Sequence, residues 1–138
     1  MKKLLLDSNI ILRLLLSDDP KQSPAAVEIF AAATRGDCLL RLEPLVVAEC
    51  AYVLIGLGRN RQSISSALSQ LVVSHGVQSD DRRLLLDALR RFSETRIDFQ
   101  DAWLAAVSAD TQIGVVSFDR GFDKFPDVVR VEPGRDSI

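Results

Sequence analysis

The chain is poor in the side chains on which much catalytic machinery is built. Of its 138 residues one is histidine, His75, and two are cysteines, Cys38 and Cys50. His75 stands in Val73-Ser74-His75-Gly76, which reads as a loop with a solvated ring. The cysteines form no ligand-spaced pair with each other or with a histidine cluster, so the simplest expectation is two reduced, buried thiols in a cytoplasmic protein. An excess of one charge is also missing. Seventeen basic and nineteen acidic residues give a formal charge of −2. That balance does not advertise nucleic-acid binding, although a local basic rim can act while the total stays near neutral.

Long hydrophobic runs are absent as well. No segment approaches the roughly 18 to 20 apolar residues of a membrane span, so no membrane association is expected. Lys2-Lys3 followed by leucines imitates the start of a signal peptide. Asp7, Asn9 and Arg13 interrupt the apolar run, and no small-residue cleavage site follows. There is no internal repeat and no low-complexity linker. A length of 138 residues suits one domain over residues 1–138, in which folding buries about two-thirds of the chain's surface. With 47% apolar and 26% charged residues, the composition is that of an ordinary globular protein.

The local pattern alternates short apolar strands with helices. Leu4 to Leu6 reads as a short buried strand ending at Asp7, with Ser8 and Asn9 available to cap a helix over Ile10 to Leu16. Asp18-Asp19-Pro20 breaks that segment. Ser23 as cap and Pro24 at the first helical position start a helix ending near Gly36. Leu39 to Leu42 reads as a second strand. Pro44 opens a helix that carries Glu49 and ends near Gly56 and Gly58. A polar helix follows over Gln62 to Val73. Asp80 and Asp81 lead another that finishes with Arg90 and Arg91, charges that suit the helix dipole. Asp98 caps a helix to about Asp110, Ile113 to Val116 is a buried strand leading to Asp119, and Val128 to Val131 is a last edge strand. This order implies an α/β fold with a mostly parallel central sheet, in which ligands gather at the carboxyl ends of strands.

Four acidic residues in apolar settings stand out: Asp7, Glu49, Asp101 and Asp119. A carboxylate is rarely buried unless it is paired or bound to a metal. Each has a plain structural reading. Asp7 suits a strand end or cap. Asp98-Phe99-Gln100-Asp101 resembles a capping box with Asp101 at the third helical position. Asp119 suits a turn before Gly121. Glu49 resists such a reading, because its neighbours at three and four positions are Leu45, Val46, Tyr52 and Val53, and no lysine or arginine lies within a helical turn. Carboxylates brought together repel one another until a divalent cation compensates. Mg²⁺ and Mn²⁺ prefer hard oxygen ligands and keep several waters. A metal so held suits hydrolysis of a phosphodiester, with no thiolate, histidine or serine nucleophile required.

Other residues have weaker claims. Ser117, two residues before Asp119, suits either orientation of a metal ligand or water, or a plain strand-end hydroxyl. Asn9 suits a hydrogen bond to Asp7 or substrate, or a helix cap. Trp103 and Tyr52 read as core or interface residues. Arg13, Arg120 and Lys124 suit a basic rim for phosphates, or ordinary surface charge.

The order and context of the acids resemble the PIN-domain ribonucleases, and most closely the VapC-like toxins of bacterial and archaeal toxin–antitoxin modules. The resemblance covers nearly the whole chain. It rests on Leu5-Leu6-Asp7-Ser8-Asn9, Pro44-Leu45-Val46-Val47-Ala48-Glu49, Asp98-Phe99-Gln100-Asp101-Ala102 and Ser117-Phe118-Asp119-Arg120-Gly121-Phe122-Asp123, in that order. It implies a three-layer α/β/α sandwich and a Mg²⁺- or Mn²⁺-dependent endoribonuclease in which Asp7, Glu49, Asp101 and Asp119 match the family's acidic positions. Ser117 matches a small hydroxyl residue often found beside the last acid. The resemblance also implies RNA as substrate, a homodimer, and inhibition by an antitoxin protein whose tail crosses the active-site groove. Residues 56–79 carry no matching motif.

Two other readings compete. A haloacid-dehalogenase-like phosphatase also begins with a strand and an aspartate, but needs a second aspartate two positions later, where Asn9 stands. The other is a non-catalytic PIN-like interaction module whose acids bind metal for structure only.

Overall fold

Caps and turn residues set the ends of the elements. In the computed structural model, which describes residues 1–137, Pro44 begins one helix at its first position, where its missing N–H costs nothing. The Asn60 side chain accepts from the Ser63 amide at 2.8 Å and Asp81 from Leu84 at 3.0 Å, each satisfying an otherwise orphaned helix-start donor. The strands are β1 (Lys2–Leu5), β2 (Cys38–Arg41), β3 (Val77–Gln78), β4 (Val115–Val116) and β5 (Arg130–Val131). The helices are α1 (Ser8–Leu16), α2 (Gln22–Thr34), α3 (Pro44–Gly56), α4 (Arg61–Val72), α5 (Arg82–Glu94) and α6 (Phe99–Thr111), with a 3₁₀ turn at Arg120–Lys124. This is the mixed α/β architecture, with short parallel strands, that the alternating pattern implies.

The strands form two parallel groups. β1, β2 and β3 make one sheet in that order, with Lys2 opposite Cys38, Leu5 opposite Arg41 and Leu40 opposite Val77. β4 and β5 form a separate pair, Val115 opposite Arg130. Parallel neighbours need long crossovers, supplied here by α1–α2 and α3–α4 in the first sheet. Gly76 makes the third strand possible. Its φ of 86° and its closeness to the Ala33 carbonyl leave no room for a side chain, and its own carbonyl accepts from Leu40 at 2.8 Å.

The core gathers Ile11 and Leu40 beneath α1 and the sheet, Val47 and Leu54 from α3, and Leu68, Leu85, Leu89 and Phe92 from α4 and α5. Each large side chain buried there contributes about 1.5–3 kcal/mol. Phe92 and Phe99 meet edge to face, centroids 6.5 Å apart, which joins α5 to the start of α6. Among the described residues no helix is long and apolar enough to cross a membrane.

Several boundaries differ from the sequence reading. The first strand is Lys2–Leu5, and Leu5 is exposed. Helix α1 begins at Ser8, with Asp7 in the cap position. Helix α2 begins one residue before Ser23, because Asp19 takes over the capping: its carboxylate accepts from the amides of Lys21 and Gln22 at 2.9 and 2.6 Å. The expected buried strand over Ile113 to Val116 shortens to Val115–Val116, in which Val115 is half-buried against the core and Val116 is 64% accessible, while Ile113 before it is 67% accessible. It pairs with a single neighbour, β5, and stands outside the three-stranded sheet. The expected edge strand shortens to Arg130–Val131, and the buried member is Arg130, not an aliphatic residue. Strand β3 was not foreseen, since two residues are too few to show a period.

Candidate active site

The chain stays in the sheet one residue past β1, where the Leu6 amide donates to the Arg41 carbonyl at 2.9 Å. Asp7 then turns into α1 with φ −94° and ψ 156°, and its side chain makes no capping bond. The capping explanation for Asp7 therefore fails, and its carboxylate is left exposed. The next residue, Ser8, is buried and its hydroxyl donates to Glu49 Oε1 at 2.9 Å. That bond fixes one oxygen of Glu49 from a residue 41 positions away.

Glu49 is not buried among apolar neighbours, as its helical spacing suggests. It is exposed, and so are Leu45 (79%) and Tyr52 (76%) on the same side of α3. Tyr52 is accordingly no core residue, whereas Trp103 packs half-buried against the core. Of the apolar neighbours around Glu49, Leu45 and Tyr52 are surface while Val46 and Val53 lean on the core, and α3 buries Val47, Cys50, Ala51 and Leu54 on its other side. Under Glu49 lies the Cys50 thiol, 3.7 Å from the Ser8 carbonyl. Burial first, then the charges of Glu49 and Asp7, push that thiol up to about 12. It stays protonated, as the lack of a thiolate motif anticipates.

Asp101 and Asp119 form the second pair. Asp98 occupies the cap position of α6 without a side-chain capping bond, so the capping box does not form. Asp101 sits half-buried in the first turn. Its carboxyl is held above the ordinary carboxylate range by burial first, then by the charge of Asp119, then by Asp98. No cation opposes these effects. Burial is the larger cause, and the neighbouring anions add to it.

Asp119 is held within a tight turn. Its amide donates to Ser117 Oγ at 2.9 Å, and its Oδ1 accepts from the Gly121 amide at 2.8 Å. The turn reading is right for one oxygen; no partner in the described structure takes the other. Gly121 is needed here, because a Cβ would lie 2.9 Å from the Ile97 side chain. Ser117 thus holds the backbone at Asp119, a bond that fits either of its two readings.

The charge of Asp119 bears on Asp101, and those of Glu49 and Asp7 both bear on the Cys50 thiol, so the acids fall into two groups, Asp7 with Glu49 and Asp101 with Asp119. Among the described residues no three His, Cys, Asp or Glu side chains converge as a ready-made metal cage. The donor set still suits a hard divalent cation. It is all oxygen, anionic and mostly exposed, and Mg²⁺ is commonly held by one or two carboxylates together with waters and substrate phosphates.

The supporting residues divide. Asn9 is exposed and faces a pocket of about 480 Å³ between β1, α1 and α2, together with Arg13 and Gln22; none of the four acids lines it. It is not the helix cap, since Asp7 holds that position. Arg13 leans toward Asp18 at 3.4 Å. Arg120 and Lys124 are exposed on the 3₁₀ turn just after Asp119. His75 is exposed as expected, its Nδ1 3.1 Å from the Thr34 carbonyl. Ser8 was read only as a helix cap. Its partner across the fold is invisible in the sequence, and the one available signal was a hydroxyl directly after an acid.

The PIN domain profile matches residues 4–128, a span that includes both pairs of acids. No curated protein matches the chain significantly. PIN domains are generally metal-dependent nucleases, an activity that suits the oxygen-only donor set. A profile match over nearly the whole length, on a mixed α/β fold with these acids at strand ends and helix starts, shows that the chain belongs to the PIN-domain family.

Proposed function

We propose that this protein is a Mg²⁺- or Mn²⁺-dependent endoribonuclease, the toxin of a toxin–antitoxin pair. The observation that carries the reading is the pair of carboxylate groups without counter-ions, above all Asp101, whose proton affinity is raised by burial and by Asp119. Asp7, Glu49, Asp101 and Asp119 would hold the cation. When bound, it would neutralise charge on the scissile phosphate and favour attack by water. The chain's own part is placement. Ser8 fixes one oxygen of Glu49, and the Ser117 hydroxyl and Gly121 amide fix Asp119. Arg120 and Lys124, exposed beside Asp119, would meet flanking phosphates as a salt-sensitive rim.

The toxin role rests on the resemblance in the four acidic segments. Exposed Leu45 and Tyr52 flanking Glu49, and exposed Phe118 beside Asp119, favour a protein that covers the site, which is the antitoxin's part. A homodimer in the cytoplasm completes the proposal. The second reading is a non-catalytic interaction module whose acids bind metal for structure only.

One experiment separates them. Purified protein is incubated with a mixed RNA substrate in Mg²⁺, Mn²⁺, Ca²⁺ or excess chelator. Cleavage is expected with Mg²⁺ and Mn²⁺ and not with Ca²⁺, whose looser shell activates water poorly. Equal cleavage in chelator would sink the metal assignment, and an intact substrate in every condition would favour the interaction module. Overexpression in bacteria without a partner is expected to arrest growth.

A further inference from the structure

Arg130 is a buried guanidinium in a short strand, next to the exposed Val129. Its side chain is 2% exposed. Nε and Nη2 donate to the two oxygens of Asp123 at 2.9 and 3.0 Å, and Nη1 donates to Glu132 Oε1 at 2.7 Å and to the Ser117 carbonyl at 3.1 Å. These contacts fall on either side of Asp119: Ser117 lies two residues before it, and Asp123 four residues after. Between the two anchors run the bonds from the Asp119 amide to Ser117 Oγ and from the Gly121 amide to Asp119 Oδ1. With two carboxylates on it, Arg130 is already compensated and is no free cation for a phosphate.

We propose that Arg130 is the positioning residue of Asp119: it clamps both ends of the Ser117–Lys124 loop, so that one carboxylate oxygen is tied inside the turn and the other is presented outward. The role as metal ligand rests on the nuclease reading, whereas the clamp itself does not. Fixed fork geometry matters, because a lysine ammonium cannot hold Asp123 bidentately and reach Ser117 and Glu132 together. The molecule contains its own control. Arg91 is as deeply buried, 3% exposed, and is bound by Asp127 through two bonds and by Asp87 through one. It bonds to neither Ser117 nor Asp123 and stacks on Phe125, just past the loop, at 5.0 Å, so its loss tests burial of an arginine while leaving both anchors of the clamp in place.

The test compares the full-length parent with Arg130→Lys, Asp123→Asn and Arg91→Lys. Amide hydrogen exchange at Asp119 and Gly121 is measured by NMR without metal, relative to the core amide of Leu89, and Mn²⁺ affinity is measured by titration. Arg130→Lys and Asp123→Asn are expected to speed exchange at both amides about tenfold and to weaken Mn²⁺ binding about tenfold, the scale of losing an outer-shell partner. RNA cleavage lost in Arg130→Lys returns at raised Mn²⁺. Arg91→Lys lowers the melting temperature but changes exchange and affinity less than twofold. Unchanged exchange in both clamp variants, or the same change in Arg91→Lys, overturns the proposal. Should Arg130→Lys fail to fold, Asp123→Asn decides. A parent that binds no Mn²⁺ refutes the metal reading, while the exchange data still judge the clamp.

Discussion

The two pairs of acids are supported in opposite ways. Asp7 and Glu49 project from the end of a strand and the outer face of a helix, both exposed, with a single serine hydroxyl holding Glu49. Asp119 stands in a scaffold of many bonds, in which Ser117, Gly121, Asp123 and Arg130 lock its turn, while Asp101 rides on the first turn of α6 and is partly drawn out of water. Secondary structure suffices to aim the first pair. An irregular turn needs side-chain bonds to do the same, since its backbone has no ladder to fix it. The scaffold has a consequence for acid–base behaviour: its carboxylates Asp123, Glu132 and Asp136 sit below the ordinary range because arginines bond to them, whereas Asp101 sits above it.

The largest expected effects come from removing one acid of each pair. Glu49→Gln and Asp119→Asn keep shape and lose charge, and each is expected to lower RNA cleavage more than about 100-fold, beyond the usual loss for an outer-shell partner. Both should abolish growth arrest on overexpression. A Glu49→Gln protein that accumulates normally and remains as toxic as its parent removes Glu49 from the catalytic set. Ser8→Ala comes next. It leaves Glu49 charged but unheld, and cleavage at subsaturating Mn²⁺ should fall about tenfold, with recovery at high metal. If Ser8→Ala matches the parent throughout, the first pair needs no positioning at all.

Smaller effects appear in stability. Asp101→Asn removes the crowded charge and is expected to raise the apo melting temperature by about 2 °C, within the shift produced by a fraction of a kcal/mol in a domain of this size. Asp7→Asn, more exposed, should raise it less. A fall in both would restore structural roles to these acids.

The smallest effect is its pH dependence. A carboxyl whose folded pKa is raised contributes stability that is fully present below its ordinary value of 3.8 and is lost as pH rises through the raised value. The difference between Asp101→Asn and parent should therefore be largest near neutral pH and shrink as pH falls toward 3.8. Asp123, Glu132 and Asp136 work in the other direction: their contribution is present above their ordinary values and is lost on acidification through the lowered ones. Parent stability should thus fall in acid while the difference between the two proteins narrows. A difference that stays constant with pH would place Asp101 outside the crowded pair.

Sequence alone determined the class of fold and the order of its helices, and it singled out the four acids. Those follow from local causes: Pro44 starts a helix, Asp81 and Asn60 cap theirs, and short apolar runs between helices become parallel strands. It also determined the family, because the acids recur in a fixed order with their flanking segments. Tertiary structure decided everything that depends on a distant partner. Helical spacing placed Glu49 in an apolar stripe, and only packing showed that Glu49, Leu45 and Tyr52 are surface, since the opposite side of α3 meets the core. The capping box at Asp98 was a fair local reading that no bond in the fold realises. Ser8 reaching Glu49 across 41 positions, and Arg130 reaching back 13 to Ser117, join parts of the chain whose spacing carries no period, so only the folded chain brings them within hydrogen-bonding distance.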